Sequence, residues 1–509
     1  MNIANWLHAA AQCWPGRPAL FEGARQVADY QSFAARVRGL AHELVHQHGV
    51  EPGDRVALFM KNCCEYLELM YAVWWVGGVV VPINCKLHRS EAGWIVDNAQ
   101  ARVLFTDDGQ VFAPNELACR EMAGRSRTTI DVGGVQPVPY SCNADHLAWL
   151  FYTSGTTGRS KGVMLSHGNL AAMSLCYPLD VDAVSALDAV VYAAPMSHGA
   201  GLYNFIHVRC GARHVVPESR GFKADELFGL ATQLGNVTLF AAPTMVKRMV
   251  EQARCIGYAG EGIKTIVYGG APMYLADLQE ALSTFGPRLV QIYGQGESPM
   301  TISALSRELI ADRERPDWSR IVSSVGRAHA CVDVCVLDTQ LHSLPAGQPG
   351  QIAVRGPTVM HGYWRNEVAT REALVDGWLL TGDIGYFDDH GYLTLTDRCK
   401  DVIISGGSNV YPREVEEVLA LHPEVFEVCV VGEADEEWGE SVVAFVVARD
   451  NQPLDERSLT AWFVARMASF KKPKKYVFLT ELPKNSYGKV PKTALRQWLQ
   501  EAPGTVVSP

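Results

Sequence analysis

Two periodicities alternate along the N-terminal part of the chain. Phe33, Val37, Leu40, Ala41, Leu44 and Val45 recur at helical spacing, and Gly49 punctuates the end of that run. Residues 55–59 then form a short apolar stretch with the look of a buried strand. Residues 65–76 return to a helical pattern, 79–82 read as strand, 90–98 as helix and 103–107 again as strand. Alternation of this kind predicts an α/β fold with largely parallel sheets. Near Asp397 the character changes to a strand at 402–405, a glycine turn and a helix opened by Pro412. That helix carries an apolar stripe of Val415, Val418 and Leu419, and strands at 425–431 and 441–448 follow. The pattern therefore predicts a large N-terminal domain, 1–398, built of α/β subdomains, and a small α+β domain, 399–509. No internal repeat or low-complexity tract interrupts either.

Composition narrows the function classes. Of 509 residues 48% are hydrophobic and 20% charged, which excludes a disordered chain. The formal charge of −10 argues against nucleic acid as a partner, since phosphate binding asks for a basic excess. The 13 cysteines contain no Cys-x-x-Cys pair, so no zinc site is expected; free thiols in a reducing compartment are. Residues 1–15 show no signal peptide, and the longest apolar run, 69–83, is broken by Gly77, Gly78 and Pro82. The expectation is a cytoplasmic protein without a membrane span; the oligomeric state is unreadable, a homodimer staying open. Between Arg457 and Arg496 stand ten Lys or Arg and one acid, Glu481. Such a run is either a solvated face or local positive potential for a polyanionic small molecule.

The candidate chemistry starts at the end of an apolar strand, 147–152. Residues 152–162 read YTSGTTGRSKG. Glycines at 155, 158 and 162 permit turns, and Thr153, Ser154, Thr156 and Thr157 add hydroxyls beside exposed N–H groups, the makings of a phosphate cradle. Lys161 supplies a cation. The spacing is not that of a Walker A loop, because position 160 is serine. Residues 158–162 also satisfy Gly-x-Ser-x-Gly, the serine-hydrolase elbow. That elbow must turn from strand directly into helix at the serine, whereas this apolar strand stops well before it.

These residues resemble the adenylate-forming enzymes: acyl- and aryl-CoA ligases, luciferases and peptide-synthetase adenylation domains. Other segments agree in order along essentially the whole chain. Tyr293-Gly294-Gln295-Gly296-Glu297 resembles the family's Tyr-Gly-x-Thr-Glu, and Gly382-Asp383 stands in the Trp-x-x-Thr-Gly-Asp context from Trp378. Asp397-Arg398-Cys399-Lys400-Asp401 with VIISGGSNVYPREVE matches the domain-junction motif, and 483–489 resembles the terminal lysine motif. The resemblance implies an AMP-forming acid–thiol ligase that uses ATP, Mg²⁺ and coenzyme A. It implies Glu297 as the metal-side carboxylate, and Thr153, Ser154, Gly155, Thr156, Thr157, Gly158 and Lys161 around the phosphates. Asp383 and Arg398 fall to the ribose. Gly270 and Ala271 in the 269–272 turn, with Tyr293 and Gly294, fall to the nucleotide. His198 stands at the mouth of the acyl pocket, and Lys489 is the catalytic lysine.

For the second half-reaction the resemblance implies a mobile C-terminal domain with its hinge at 398–401, centred on Lys400. Gly406 and Gly407 would line a pantetheine tunnel, and Trp438, Phe470 and Lys472 would face CoA. A peptide-synthetase unit is disfavoured because so little chain follows Lys489; loading a separate carrier protein stays as the alternative. The family's threonine is Gly296 here, so water or Gln295 would replace the hydroxyl. A threonine at 296 is then expected either to be tolerated or to raise the KM for the acid. The segments expected around the acid (198–204, 240–245, 268–271, 295–301) hold no Lys or Arg. An uncharged acid body follows, aromatic or medium-chain, with a lean to aromatic.

Overall fold

The computed structural model describes residues 1–107, 120–123, 137–153, 160–271, 273–398, 400–405, 408–435, 438–449, 454–485 and 490–501. Among these the strands form four sheets. The first runs Arg120–Ala123, Ala101–Thr106, Arg55–Phe59, Val79–Pro82, Leu147–Thr153, Lys161–Ser166, parallel except for the last pair. The second has nine strands. Six of them, Pro18–Glu22, Arg213–Val216, Ala189–Val191, Val237–Ala241, Ile263–Tyr268 and Leu289–Gln295, lie parallel, and antiparallel strands close both edges.

The broken apolar run becomes the helix Cys64–Trp75 and the strand Val79–Pro82, both buried on every side. Nothing is left over for a bilayer: no helix among the described residues is long and apolar enough to cross one. Trp74 donates its indole N–H to the Ala148 carbonyl at 2.8 Å and stacks on Trp149 with ring centroids 6.1 Å apart. That packing fixes the strand Leu147–Thr153, whose carboxyl end carries the first candidate residue.

The third sheet is antiparallel, with Asp333–Leu337, Gly350–Arg355 and Trp378–Phe387 in order and Leu393–Arg398 on the last of these. Hairpins replace crossover helices here, which the alternation read in residues 33–107 does not address. The fourth sheet joins Ser408–Val410, Ile403–Ser405, Gly439–Ala448, Val425–Asp435 and Lys475–Leu479. Helix Pro412–Ala420 starts with proline at a position needing no N–H, and lays fully buried Val415 and Leu419 on one face. Helix Lys492–Glu501 covers the other face through Leu495 and Leu499. This unit touches the rest where the Tyr274 hydroxyl donates to Glu416 Oε2 at 3.3 Å and Lys247 Nζ donates to the Phe426 carbonyl.

Candidate functional site

The candidate residues gather at the carboxyl ends of the parallel strands, where open α/β sheets leave a crevice. Strand Leu289–Gln295 turns into Ser298–Leu305 with Gln295 opposite Ser298, so Gly296 and Glu297 form the tip. A Cβ on Gly294 would stand 2.5 Å from the Met300 amide nitrogen; only glycine lets the two backbones approach. Met300 pays for this crossing with φ of 64°, a strained conformation for a side-chain-bearing residue.

Both ends of that segment hold polar groups. At one, the Tyr293 hydroxyl donates to Asp383 Oδ2 at 2.7 Å, while Arg398 Nε stands 3.1 Å from Asp383 Oδ1. Asp383 and Arg398 are direct partners across the antiparallel pair, so the ladder itself sets their meeting. The carboxylate side chain is 11% exposed and the guanidinium one 48%, so the pair points outward from a buried base. Asp383 raises the Arg398 pKa, and burial followed by the Asp383 charge raises that of Tyr293. The phenol therefore stays a donor. Gly382, at φ 72°, supplies the bend beside Asp383.

At the other end Glu297 Oε1 accepts from the Tyr363 hydroxyl at 2.7 Å, and its carbonyl accepts from the Met360 N–H at 2.8 Å. Lys161 Nζ sits 5.0 Å from the centroid of the same Tyr363 ring. Burial, then the Glu297 charge, raises the Tyr363 pKa and keeps this phenol a donor as well. Sequence reasoning missed Tyr363; its only signal is the Gly-Tyr-Trp segment at 362–364. Lys161 opens a strand antiparallel to Leu147–Thr153, so Ser160 sits in a β-hairpin and not at a strand-to-helix elbow. The serine-hydrolase reading fails on that geometry.

Gly296 departs from both expected explanations. A Cβ there would lie 2.5 Å from Thr153 Cγ2 and 3.1 Å from Phe151 Cδ1. The space a side chain would need is filled by the end of the Leu147–Thr153 strand, neither by solvent nor by room for the acid. The adjoining Gln295 Nε2 is buried with no hydrogen-bond partner among the described residues, a donor in reserve at this turn.

His198 precedes the short helix Gly199–Leu202, its ring 5.2 Å from that of Phe151 and edge-on, with Nδ1 3.2 Å from Ser197 Oγ. A Cβ on Gly199 would lie 3.2 Å from Met300 Sδ and 3.7 Å from Phe240 Cε1. One on Gly270, which sits at φ 81° beside Ala271, would lie 3.8 Å from Phe240 Cζ. Gly199, Phe240, Gly270 and Met300 thus share one apolar wall next to His198.

Ser154, Gly155, Thr156, Thr157, Gly158, Gly406, Gly407 and Lys489 lie outside the described residues. Lys400 is exposed, its pKa lowered by partial burial of its amine and by Arg398. Trp438 and Phe470 are exposed large aromatics; Lys474 Nζ stands 4.1 Å over the Trp438 ring, and Lys472 has no ion-pair partner among the described residues. The basic run is not a free positive surface. Lys471 meets Glu414, Lys475 meets Glu433 at 3.2 Å, Lys484 meets Glu427 at 2.6 Å and Arg496 meets Asp401 at 2.9 Å. Lys492 stands 3.4 Å from Glu416 and 3.7 Å from Asp397; burial opposes its charge, but these carboxylates outweigh it and raise its pKa. The neutralising acids come from residues 397–433, outside the counted run.

Comparison with known proteins covers the same ground. Residues 7–364 match the family described as AMP-binding enzyme, and residues 414–489 match the AMP-binding enzyme C-terminal domain. The chain is 33% identical over 496 residues to the feruloyl-CoA synthase of an Amycolatopsis species, covering 97% of this chain and 99% of that one. It is 32% identical over 504 residues to the 2-succinylbenzoate–CoA ligase of Bacillus cereus, covering 98% and 99%. Among solved structures, the o-succinylbenzoate CoA synthetase of Bacillus subtilis in complex with its acyl-adenylate intermediate superposes with a TM-score of 0.85 at 29% identity, covering 98% of each chain.

Proposed function

The chain belongs to the AMP-binding enzyme family, and, taking it as an AMP-forming carboxylate–CoA ligase that uses ATP, Mg²⁺ and coenzyme A, we propose that it activates an aromatic monocarboxylic acid. The observation that carries the nucleotide half is the placement of Tyr293 and Glu297 at the two ends of the 293–297 segment. Through Asp383 and Arg398 it presents a carboxylate and a cation for a ribose diol. Through Tyr363 and Lys161 it presents a carboxylate and a cation for phosphates. One rigid turn thereby sets the spacing between the two ends of the nucleotide.

Among the described residues no cluster of three or more His, Cys, Asp or Glu forms a metal cage. The Glu297 carboxylate is a hard oxygen donor of the kind Mg²⁺ takes, one or two carboxylates together with substrate phosphates and waters. Glu297 would hold it, and the ion supplies charge neutralisation on the phosphates when bound. In the first step a carboxylate oxygen attacks the α-phosphorus and pyrophosphate leaves; Thr153, Lys161, the 154–158 loop and Lys489 meet the charge that accumulates. In the second the CoA thiol attacks the acyl carbon and AMP leaves. His198 and the wall of Gly199, Phe240, Gly270 and Met300 hold the acid. The feruloyl-CoA synthase and 2-succinylbenzoate–CoA ligase relatives support an aromatic body, while the fatty acid–[acyl-carrier-protein] ligase of Streptomyces coeruleorubidus, 33% identical over 505 residues, supports the fatty-acid and carrier-protein alternative.

The C-terminal unit, 399–509, turns about residues 398–401 between the steps, bringing Trp438, Phe470, Lys472 and the 406–407 glycines to CoA. The free thiols among the described cysteines suit action in the cytoplasm. The test separates the half-reactions. Lys489→Ala should slow pyrophosphate release by roughly 10²–10³-fold while synthetic acyl-AMP and CoA still give thioester. Lys400→Pro, which locks φ, should do the reverse. Equal damage to both halves by a folded Lys489→Ala protein refutes the two-pose reading, and AMP release that ignores added CoA refutes CoA as the thiol.

A further inference from the structure

Behind the apolar wall lies a small cavity lined by Met173, Tyr177, Leu202, Tyr203, Met300 and His329 among others. Its free space is about 10 Å³, close to the ~10–15 Å³ that one water-sized group requires. Three atoms of its lining residues, Tyr177 Oη, Tyr203 Oη and His329 Nε2, are buried without a hydrogen-bond partner among the described residues. The residues themselves are 3%, 6% and 2% exposed. Other polar groups of the lining are spoken for: Ser174 Oγ donates to the Leu170 carbonyl at 2.6 Å and Thr301 Oγ1 to the Pro299 carbonyl at 3.0 Å. An unpaired buried donor or acceptor forfeits its hydration with nothing in return. Three such atoms on residues that line one small space call for a complementary group.

The donor and acceptor pattern identifies that group. His329 Nδ1 stands 3.1 Å from Asp180 Oδ2, so a ring hydrogen on Nδ1 faces that carboxylate, and in the neutral ring Nε2 is then an acceptor. Burial raises the pKa of both tyrosines, which stay protonated donors. Two O–H donors and one nitrogen acceptor match an oxygen that accepts twice and donates once. A hydroxyl does this, as does a water molecule that a hydroxyl would displace; an ether oxygen or a carboxylate leaves Nε2 unpaired.

The cavity adjoins the acyl wall through shared residues. Met300 faces Gly199 on the wall and also lines the cavity, and the Tyr203 ring packs against Phe240 with centroids 6.1 Å apart. We propose that Tyr177, Tyr203 and His329 form a hydroxyl-reading subsite at the far end of the acyl pocket, so that the substrates are aryl monocarboxylic acids with a hydroxyl remote from the carboxylate. The proposal rests on the ligase reading for where the acid lies. The space behind Met300 accepts one oxygen atom and not a ring, so the ring itself lies against Phe240.

The experiment compares two matched pairs of acids, 4-hydroxycinnamate with cinnamate and 4-hydroxybenzoate with benzoate, on the full chain. Binding is read by calorimetry and turnover by pyrophosphate release. In at least one pair the hydroxylated acid should bind about tenfold or more tightly, and 4-methoxycinnamate should lose any advantage of its hydroxyl parent. Tyr177→Phe and Tyr203→Phe should each shrink the affinity ratio within the pair; that ratio, and not either affinity alone, is the readout. Ratios within twofold in both pairs, ratios unmoved by both variants, or no binding of any of these acids overturn the proposal, the cavity then holding water only. Selective binding without pyrophosphate release sinks the ligase reading and leaves the subsite standing. Release without selectivity does the opposite.

Discussion

Replacing Gly296 by alanine adds one carbon at the tightest point of the site. That Cβ would lie 2.5 Å from Thr153 Cγ2 and 3.1 Å from Phe151 Cδ1, so about an ångström of displacement has to be found. Thr153 is β-branched with little χ1 freedom, and Phe151 is 8% exposed with its ring against His198. Phe151 cannot step aside into solvent, and half-buried Thr153 moves only by shifting the end of its strand. Overpacking of this kind costs about 1–3 kcal/mol, read as a lower urea midpoint with unchanged m-value. Because the displaced residue is Thr153, which the proposed function sets against the phosphates, the KM for ATP should rise more than that for the acid. Thr153→Ser deletes Cγ2 and keeps the hydroxyl. In the double variant at least ~1 kcal/mol of the Gly296→Ala loss should return, a coupling that independent sites do not show. Strict additivity of the two substitutions, or a Gly296→Ala protein as stable as the parent, would refute the packing argument.

Tyr293→Phe removes one of the two partners holding Asp383, and should raise the KM for ATP about tenfold, the worth of one hydrogen bond to a charged group, with a smaller change in kcat; initial rates against ATP decide it. Lys492→Met leaves the Asp397 and Glu416 carboxylates facing each other without their cation, and should cost about 3 kcal/mol or more, seen as faster hydrogen exchange in helices Pro412–Ala420 and Lys492–Glu501. His207 is fully buried, and burial lowers its pKa from 6.5 to about 4. The unfolded chain takes up that proton first, so the stability it confers is complete above pH 6.5 and is lost as pH falls towards 4, at up to ~1.4 kcal/mol per unit. Urea midpoints at stepped pH should show this slope, and His207→Asn should flatten it by up to one proton.

Much of this was legible because the chemistry sits on contiguous residues. The 152–162 segment, the 293–297 segment and the 397–401 junction announce themselves by local spacing, and the strand Leu147–Thr153 before the first of them by an apolar run. What stayed hidden depends on residues far apart in sequence. Tyr363 reaches Glu297 across 66 positions, and His329 lines a cavity with Tyr177 of helix His167–Asp180 and with Tyr203, more than a hundred positions away. The crowding at Gly296 comes from Thr153, a neighbour that the 293–297 motif by itself does not show. The basic run misled for the same reason, because its counter-charges lie some tens of residues upstream. The antiparallel sheet of 333–398 was unread, since hairpins joined by ordinary turns leave no helix to alternate with.

The pairing of that basic run has a consequence for how the C-terminal unit behaves in salt. Lys471, Lys475, Lys484, Lys492 and Arg496 carry their counter-ions with them, on Glu414, Glu433, Glu427, Glu416 and Asp401. A body that travels with its own neutralising charges changes the surrounding field little when it changes orientation. On the proposed two-pose reading, its swing would be governed by short contacts such as Tyr274 with Glu416 and Lys247 with Phe426, and ionic strength would have little purchase on it. Attraction of a polyanionic thiol donor falls instead to the few cations left over, Lys472 foremost, so salt should weaken the capture of CoA while leaving the turning of the unit almost untouched.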